Sequence, residues 1–358
     1  MIEDLLLYRT TPLDLELGAS IGPVTVRVEG FGVPRPRRTC LVVHALTGDA
    51  HVASHGPGDR PGWWDAFIGP GRAIDTEQWW VIGMNVIGGA AGSTGPSSPS
   101  PNGGPYGRAF PVVTVRDMVR VQAAALDALG VERVALVIGG SVGGMQALEW
   151  AALYPDRVGV AAAVGATASL GALSIGLNQA QRAAVALGVQ HQDPAGGLKV
   201  ARMIAMLTYR SARHLATRFG RDWQPGADPA APPEAVRFQV ESYLEHQGAK
   251  LAARFEAETY LRMSRAMDLY DLFDGRESAD AGIRSLVRLA GITHDWLFPP
   301  DDVRWLHERL QEAGVDSRYT EIPSEVGHDA FLIDTPPMQE WVRSVMSDVR
   351  AAAPDMPR

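Results

Sequence analysis

Ser141, Asp295 and His328 lie far apart in the chain, yet their residue types and their order suit the transfer of an acyl group through a serine. Ser141 stands in Gly139-Gly140-Ser141-Val142-Gly143, a G-x-S-x-G pattern. The β-favouring apolar run Val134 to Ile138 leads into it, and a helical pattern follows at once through Met145-Gln-Ala-Leu-Glu-Trp150. This predicts a strand, a sharp turn and a helix, with the hydroxyl presented on the turn. Glycines at 139 and 143 let the chain bend and let strand and helix approach closely. The same five residues also suit a plain Gly-rich turn joining a strand to a helix, so the partners decide.

A serine hydroxyl at its own pKa is a poor nucleophile and needs a base beside it. On a strand–elbow–helix scaffold the partners follow in the order serine, acid, histidine, each after a later strand. Asp295 follows the apolar run Leu286 to Ala290, in Gly291-Ile-Thr-His-Asp295-Trp-Leu-Phe-Pro-Pro300. His328 follows Tyr319 to Ile322, in Ser324-Glu-Val-Gly-His328-Asp-Ala-Phe331. The histidine would take the serine proton and Asp295 would orient the ring. Asp301 and Asp302 are the alternative acids, but they fall where a helix begins, and a carboxylate there is more simply a partner of the helix dipole. Two backbone N–H groups would bind the oxyanion: Val142, directly after the nucleophile, and Leu46, in the loop after the strand at 39–43.

The elements that must position these groups alternate. Residues 13–33 read as an antiparallel hairpin, 39–44 as a buried strand and 79–84 as another. A Gly/Ser/Pro loop from 88 to 105 is long enough to be functional. Thr114 to Leu129 reads as a helix capped by Thr114, with Asp117 three residues on. The elbow follows, then a strand at 159–164. From 166 to 284 long helical patterns take over, broken by prolines at 225–233, and the alternation returns with strands at 285–290 and 317–322 and helices at 300–313 and 335–350. The expectation is an α/β chain in three parts. A core of 1–165 and 285–350 carries a mostly parallel sheet, 166–284 is an inserted all-helical lid, and 351–358 is a frayed tail.

Composition narrows the partners. An apolar share of 46% with 21% charged residues is that of a soluble globular chain. A net charge of −8 argues against nucleic acid and anionic membrane as partners. Cys40 is the single cysteine, so no intrachain disulfide and no cysteine metal site is possible. The first residues lack a basic-then-apolar leader, and no apolar run reaches the ~18 residues of a membrane span. A cytoplasmic protein is expected.

Taken together, the segments resemble the homoserine O-acetyltransferase family, a branch of the α/β-hydrolase fold. The likeness rests on His44-Ala-Leu-Thr-Gly-Asp49, Gly62-Trp-Trp-Asp65, Asn85-Val-Ile-Gly-Gly89, Gly92-Ser-Thr-Gly-Pro-Ser-Ser98, the elbow through Trp150, Ala201-Arg-Met203, Thr208-Tyr-Arg210, Val240-Glu-Ser-Tyr-Leu244 and Asp295-Trp-Leu-Phe-Pro-Pro300. It implies Ser141 as nucleophile, Asp295 as orienter and His328 as base. It implies Arg202 on the substrate carboxylate, Asp329 on the substrate ammonium, and Tyr209 in the same pocket. It also implies acetyl-CoA as co-substrate, L-homoserine as acceptor and a homodimer, with no metal or tightly bound cofactor. Glu256 and Glu258 replace a usual Asp and Asn of the family in the helical insert, which leaves succinyl-CoA open as donor. A pocket tells one methylene apart by only about 1–3 kcal/mol, which leaves L-serine open as acceptor. A simple esterase is the rival on the same fold, and a catalytically silent binding protein is the last alternative.

Overall fold

The computed structural model describes residues 1–276, 282–333 and 335–352. Eight strands form one sheet: β1 (Ile2–Leu7), β2 (Val24–Phe31), β3 (Thr39–Val43), β4 (Trp80–Met84), β5 (Val134–Gly140), β6 (Val158–Val164), β7 (Leu286–Ile292) and β8 (Ser317–Ile322). Their spatial order is β1-β2-β4-β3-β5-β6-β7-β8. The pairs β1–β2 and β2–β4 are antiparallel and every later pair is parallel. β3, β4 and β5 are near-continuous apolar runs because helices cover the parallel sheet on both faces.

The hairpin expected over 13–33 does not form as such. Only Leu13–Asp14 and Ser20–Ile21 pair with each other, and β2 takes its partner from residues 2–7, from Ile2 opposite Glu29 to Leu7 opposite Val24. Gly18, Gly22 and Pro23 keep the 13–21 ladder short, since a proline has no N–H to donate. Ile2-Glu-Asp-Leu-Leu-Leu7 offers six consecutive pairs instead.

The helices on the sheet are α1 (Val115–Ala128) and α2 (Val142–Leu153), and between β6 and β7 come α3 (Ala172–Gln190), α4 (Pro194–Tyr209), α5 (Ala212–Phe219), α6 (Gln239–Ala252) and α7 (Ala257–Leu269). α8 (Pro300–Glu312) and α9 (Pro336–Ala352) complete the set. Thr114 caps α1 in a reciprocal box with Asp117, as the spacing predicts. Among the described residues the stretch from β6 to β7 holds no strand, and it packs through α3 on α4 and α4 on α6. Ala351 and Ala352, expected in a frayed tail, belong to α9, and 353–358 lie outside the described residues.

Two apolar layers sandwich the sheet. One joins Met118, Leu126, Leu148 and Trp150 to Leu41, Val137 and Leu289. The other joins Trp64, Phe67, Trp341 and Met346 to Val42, Ile138 and Val160. Leu136, Val137 and Ile138 of β5 alternate between them, the period of two that a strand imposes. Among the described residues no helix is long and apolar enough to cross a membrane.

Candidate active site

The elbow forms where the glycine spacing predicts it. Ser141 adopts φ 57° and ψ −129° between the last residue of β5 and the first of α2. A non-glycine residue at positive φ costs free energy that only a well-determined surrounding can hold, and such strain collects at functional turns. Here the backbone supplies it: Ser141 N–H donates to Val164 O at 3.0 Å, and Met145 N–H to Ser141 O at 3.1 Å. A Cβ at 139 or 143 would stand 2.6 or 2.4 Å from the carbonyl oxygen of Val43, so both positions need glycine for β5 and α2 to lie against β3.

Asp295 and His328 meet. His328 Nδ1 lies 2.7 Å from Asp295 Oδ2, with both side chains buried. The other carboxylate oxygen accepts from the Leu297 and Phe298 N–H groups at 2.8 and 2.9 Å. That fork fixes the carboxylate and leaves Oδ2 for the ring. His328 is held between Phe298, stacked at 5.2 Å, and Phe331, edge-on at 5.4 Å. Burial pushes the imidazole pKa down, but the charge and hydrogen bond of Asp295 push it up and prevail, with Asp329 adding to them, so it sits above the usual value. With Nδ1–H given to Asp295, the Nε2 lone pair has no hydrogen-bond partner among the described residues.

The dyad lies against the strand ends that carry Ser141. A Cβ on Gly165, one residue past β6, would come within 3.4 Å of both Asp295 Oδ2 and His328 Cε1. A Cβ on Gly140, next to Ser141, would strike the Phe331 ring that packs on His328. The first-turn N–H of Val142 and the N–H of Leu46 donate to no acceptor among the described residues. Both therefore remain available to an oxyanion. Asp301 and Asp302 sit in the first turn of α8, and neither reaches His328 by a hydrogen bond or ion pair.

A buried relay props up the loop after β3. Trp150 Nε1–H donates to Gln122 Oε1 at 2.8 Å, Gln122 Nε2–H to Gln146 Oε1 at 2.6 Å, and Gln146 Nε2–H to His44 O at 3.1 Å. Every polar atom named has its partner, which is how such a chain rigidifies a core rather than weakening it. Burial holds the His44 ring below its usual pKa, and as a neutral ring it donates Nδ1–H to Ala45 O at 2.7 Å.

The residues assigned to the amino-acid substrate cluster beside His328. The loop before His328 is bonded to the α4–α5 junction, Ser211 N–H donating to Val326 O at 2.7 Å. This brings the end of α4 over the dyad, with the Tyr209 ring 5.7 Å from that of His328. The Arg202 guanidinium lies 5.3 Å over the Tyr209 ring, so the seven-residue spacing does place both on one side of the helix. Arg202 has no carboxylate partner among the described residues. Burial pushes the Tyr209 phenol up, Asp329 acting with it and Arg202 against it. Asp329 is not free, however: Arg210 Nη2 lies 3.0 Å from its Oδ2. Arg210 was not singled out from the sequence, because an arginine at the end of a helix reads as a dipole partner and its contact is with a residue 119 positions away.

Residues 41–335 match the α/β-hydrolase fold family model. The homoserine O-acetyltransferase of Symbiobacterium thermophilum is 48% identical, over 95% of this chain and 93% of its own length. Among solved structures, the homoserine O-acetyltransferase from Bacillus anthracis superposes with a TM-score of 0.88 at 26% identity, covering 97% of each chain. Esterase E22 superposes with a TM-score of 0.86 at 25% identity, covering 97% of this chain and all of its own. A near-full-length likeness of that strength, on a scaffold that seats a serine elbow beside an Asp–His pair, places this chain in the homoserine O-acetyltransferase family of α/β-hydrolase-fold enzymes.

Proposed function

We propose that the chain moves an acetyl group from acetyl-CoA to the γ-hydroxyl of L-homoserine through an acyl-serine intermediate. Ser141 Oγ attacks the thioester carbon while His328 Nε2 takes its proton. The Leu46 and Val142 N–H groups hold the oxyanion, the C–S bond breaks, and the thiolate leaves with the proton from His328. The homoserine hydroxyl then attacks the acyl-serine and gives its proton to His328, which returns it to Ser141 Oγ. Arg202 would hold the substrate carboxylate, since a planar guanidinium matches its two oxygens. Asp329, steadied by Arg210, would hold the ammonium.

The observation that carries this reading is Arg202: a half-buried guanidinium above Tyr209, beside the dyad, with no acid to pair with among the described residues. An esterase has no need of a carboxylate clamp. The esterase reading is favoured by the likeness to esterase E22, and it predicts turnover to acetate without an amino-acid acceptor. Intact-mass spectrometry of the protein mixed with acetyl-CoA alone, and with succinyl-CoA alone, tests the proposal. An acetyl adduct on the Ser141 peptide, discharged by L-homoserine faster than by water or L-serine, is the expected result. A succinyl adduct alone would change the donor, and the absence of any adduct would end the two-step scheme.

We also infer that two copies pair through the helical segment and that the protein works in the cytoplasm, where a polyanionic acyl-CoA is at hand. Leu173 and Leu187 on α3 are 61% and 57% exposed, and Val200 and Leu207 on α4 stand out as well. Light scattering should give twice the 38.5 kDa chain mass. A single-chain mass at micromolar concentration would rule the pairing out.

A further inference from the structure

We propose that Glu29, His51 and His55 form a binding site for a Zn²⁺-class divalent cation, which clamps β2 to the loop that follows β3. Glu29 Oε2 lies 2.8 Å from His51 Nδ1 and 3.0 Å from His55 Nε2. These three donor atoms are all within 4.8 Å of one another. Glu29 and His51 are buried, and the His55 side chain is 26% exposed, so the cluster is anchored inside and open at one edge. The Phe31 ring stacks on His55 at 4.3 Å and 11° and sets the plane of its imidazole.

Proton accounting leaves room for a cation here. His51 Nε2 lies 2.9 Å from the Arg60 carbonyl, which only accepts, so that nitrogen carries the proton. His51 Nδ1 then faces Glu29 Oε2, a carboxylate oxygen that also only accepts. A second ring proton, a proton on the Glu29 carboxyl or a cation in the place of that proton each satisfies this contact. A histidine with one N–H fixed on a backbone carbonyl and the other nitrogen turned to a carboxylate has the outer arrangement of a metal-bound imidazole.

The spacing is close to what coordination requires. With donors at about 2.0–2.2 Å from the metal, right-angle to tetrahedral pairs stand about 2.8–3.6 Å apart. The two observed separations fall at the lower edge of that range, so small side-chain shifts would admit the ion. Two imidazole nitrogens and one carboxylate oxygen suit Zn²⁺, Co²⁺ or Ni²⁺ better than Mg²⁺ or Ca²⁺. Asp59 adds a second negative charge at the rim, with its Oδ2 3.7 Å from His51 Nε2 and held by the His55 N–H at 2.8 Å. With both imidazoles neutral, Glu29 and Asp59 carry a charge of −2 for a dication to balance, the nearby Arg60 being paired with Asp49 at 3.0 Å. The role is structural. The clamp acts on the loop that carries Leu46, and among the described residues no hydrogen bond or ring contact joins the cluster to Ser141, Asp295 or His328. The three ligands have no common motif, since Glu29 is 22 positions from His51 and meets it only through the sheet.

The test uses the untagged full chain stripped with chelator. Calorimetric titration with ZnCl₂ should give one ion per chain, Co²⁺ should give the visible bands of a low-coordinate site, and Zn²⁺ should raise Tm. Replacing a direct ligand should weaken binding by about 100-fold, the upper end of what losing even an outer partner costs. His55→Gln tests this at the partly exposed position. Glu29→Gln, which keeps an oxygen for both rings, is the second variant should the first not fold. Zn²⁺ affinity and Tm shift unchanged in a folded variant, or no binding by the native chain, would overturn the proposal.

Discussion

Ser141→Ala should lower acetyl transfer by about 10⁴–10⁶-fold and abolish the acyl adduct, while leaving the fold intact. The substitution removes one oxygen and nothing else the elbow depends on. The Ser141 N–H and C=O hold the turn through Val164 and Met145, and alanine keeps both. Alanine tolerates φ 57° about as well as serine does, so Tm should stay within the small range of neutral substitutions. The residual rate would come from the Leu46 and Val142 N–H groups and from substrate held by Arg202. Rate assays with L-homoserine, paired with intact-mass spectra of the same preparation, check it. An adduct that still forms in the variant would mean that another residue carries the acyl group.

The readable parts of this molecule are those written in consecutive residues. The elbow is legible because a strand, a turn and a helix must follow one another with glycine at 139 and 143. Asp295 and His328 are legible because each follows a strand-like run in the order the scaffold demands. Thr114 and Asp117 cap α1 for a reason visible four residues at a time. What stays hidden depends on pairing across the sheet. Ile2-Glu-Asp-Leu-Leu-Leu7 lacks the alternation of an exposed strand, so nothing in it announces that it, rather than residues 13–21, pairs with β2. Gln146 looks like one more polar helix residue until Gln122 and Trp150 arrive beside it. Arg210 and Asp329, like Glu29 and His51, are pairs made only by folding. Buried polar partners leave no periodic trace, whereas buried apolar ones do.

Asp295→Asn should cost about 10⁴-fold in kcat/KM and should move the acid limb of the pH profile downward. The geometry dictates why so small a change is so costly. Oδ1 accepts from the Leu297 and Phe298 N–H groups, so the amide oxygen of asparagine takes that place and its NH₂ points at His328. An NH₂ donates, so His328 Nδ1 must accept, and the ring proton moves to Nε2. A ring protonated at Nε2 cannot take the proton of Ser141. The pH effect follows from the same contact. Burial alone lowers the His328 pKa, and the Asp295 charge is the main force raising it. In the native protein, activity should therefore rise as pH climbs through a value above the usual histidine pKa of about 6.5. The stability this raised pKa contributes is fully present below that usual value and is lost as pH rises through the folded-state value. Without the Asp295 charge, burial prevails and the neutral ring persists to lower pH. The weak remaining activity should then begin at lower pH than in the native enzyme. A purely structural Asp295 would lower the rate and leave the limb in place. Steady-state pH profiles of the two proteins separate these outcomes, and a loss under tenfold would remove Asp295 from the mechanism.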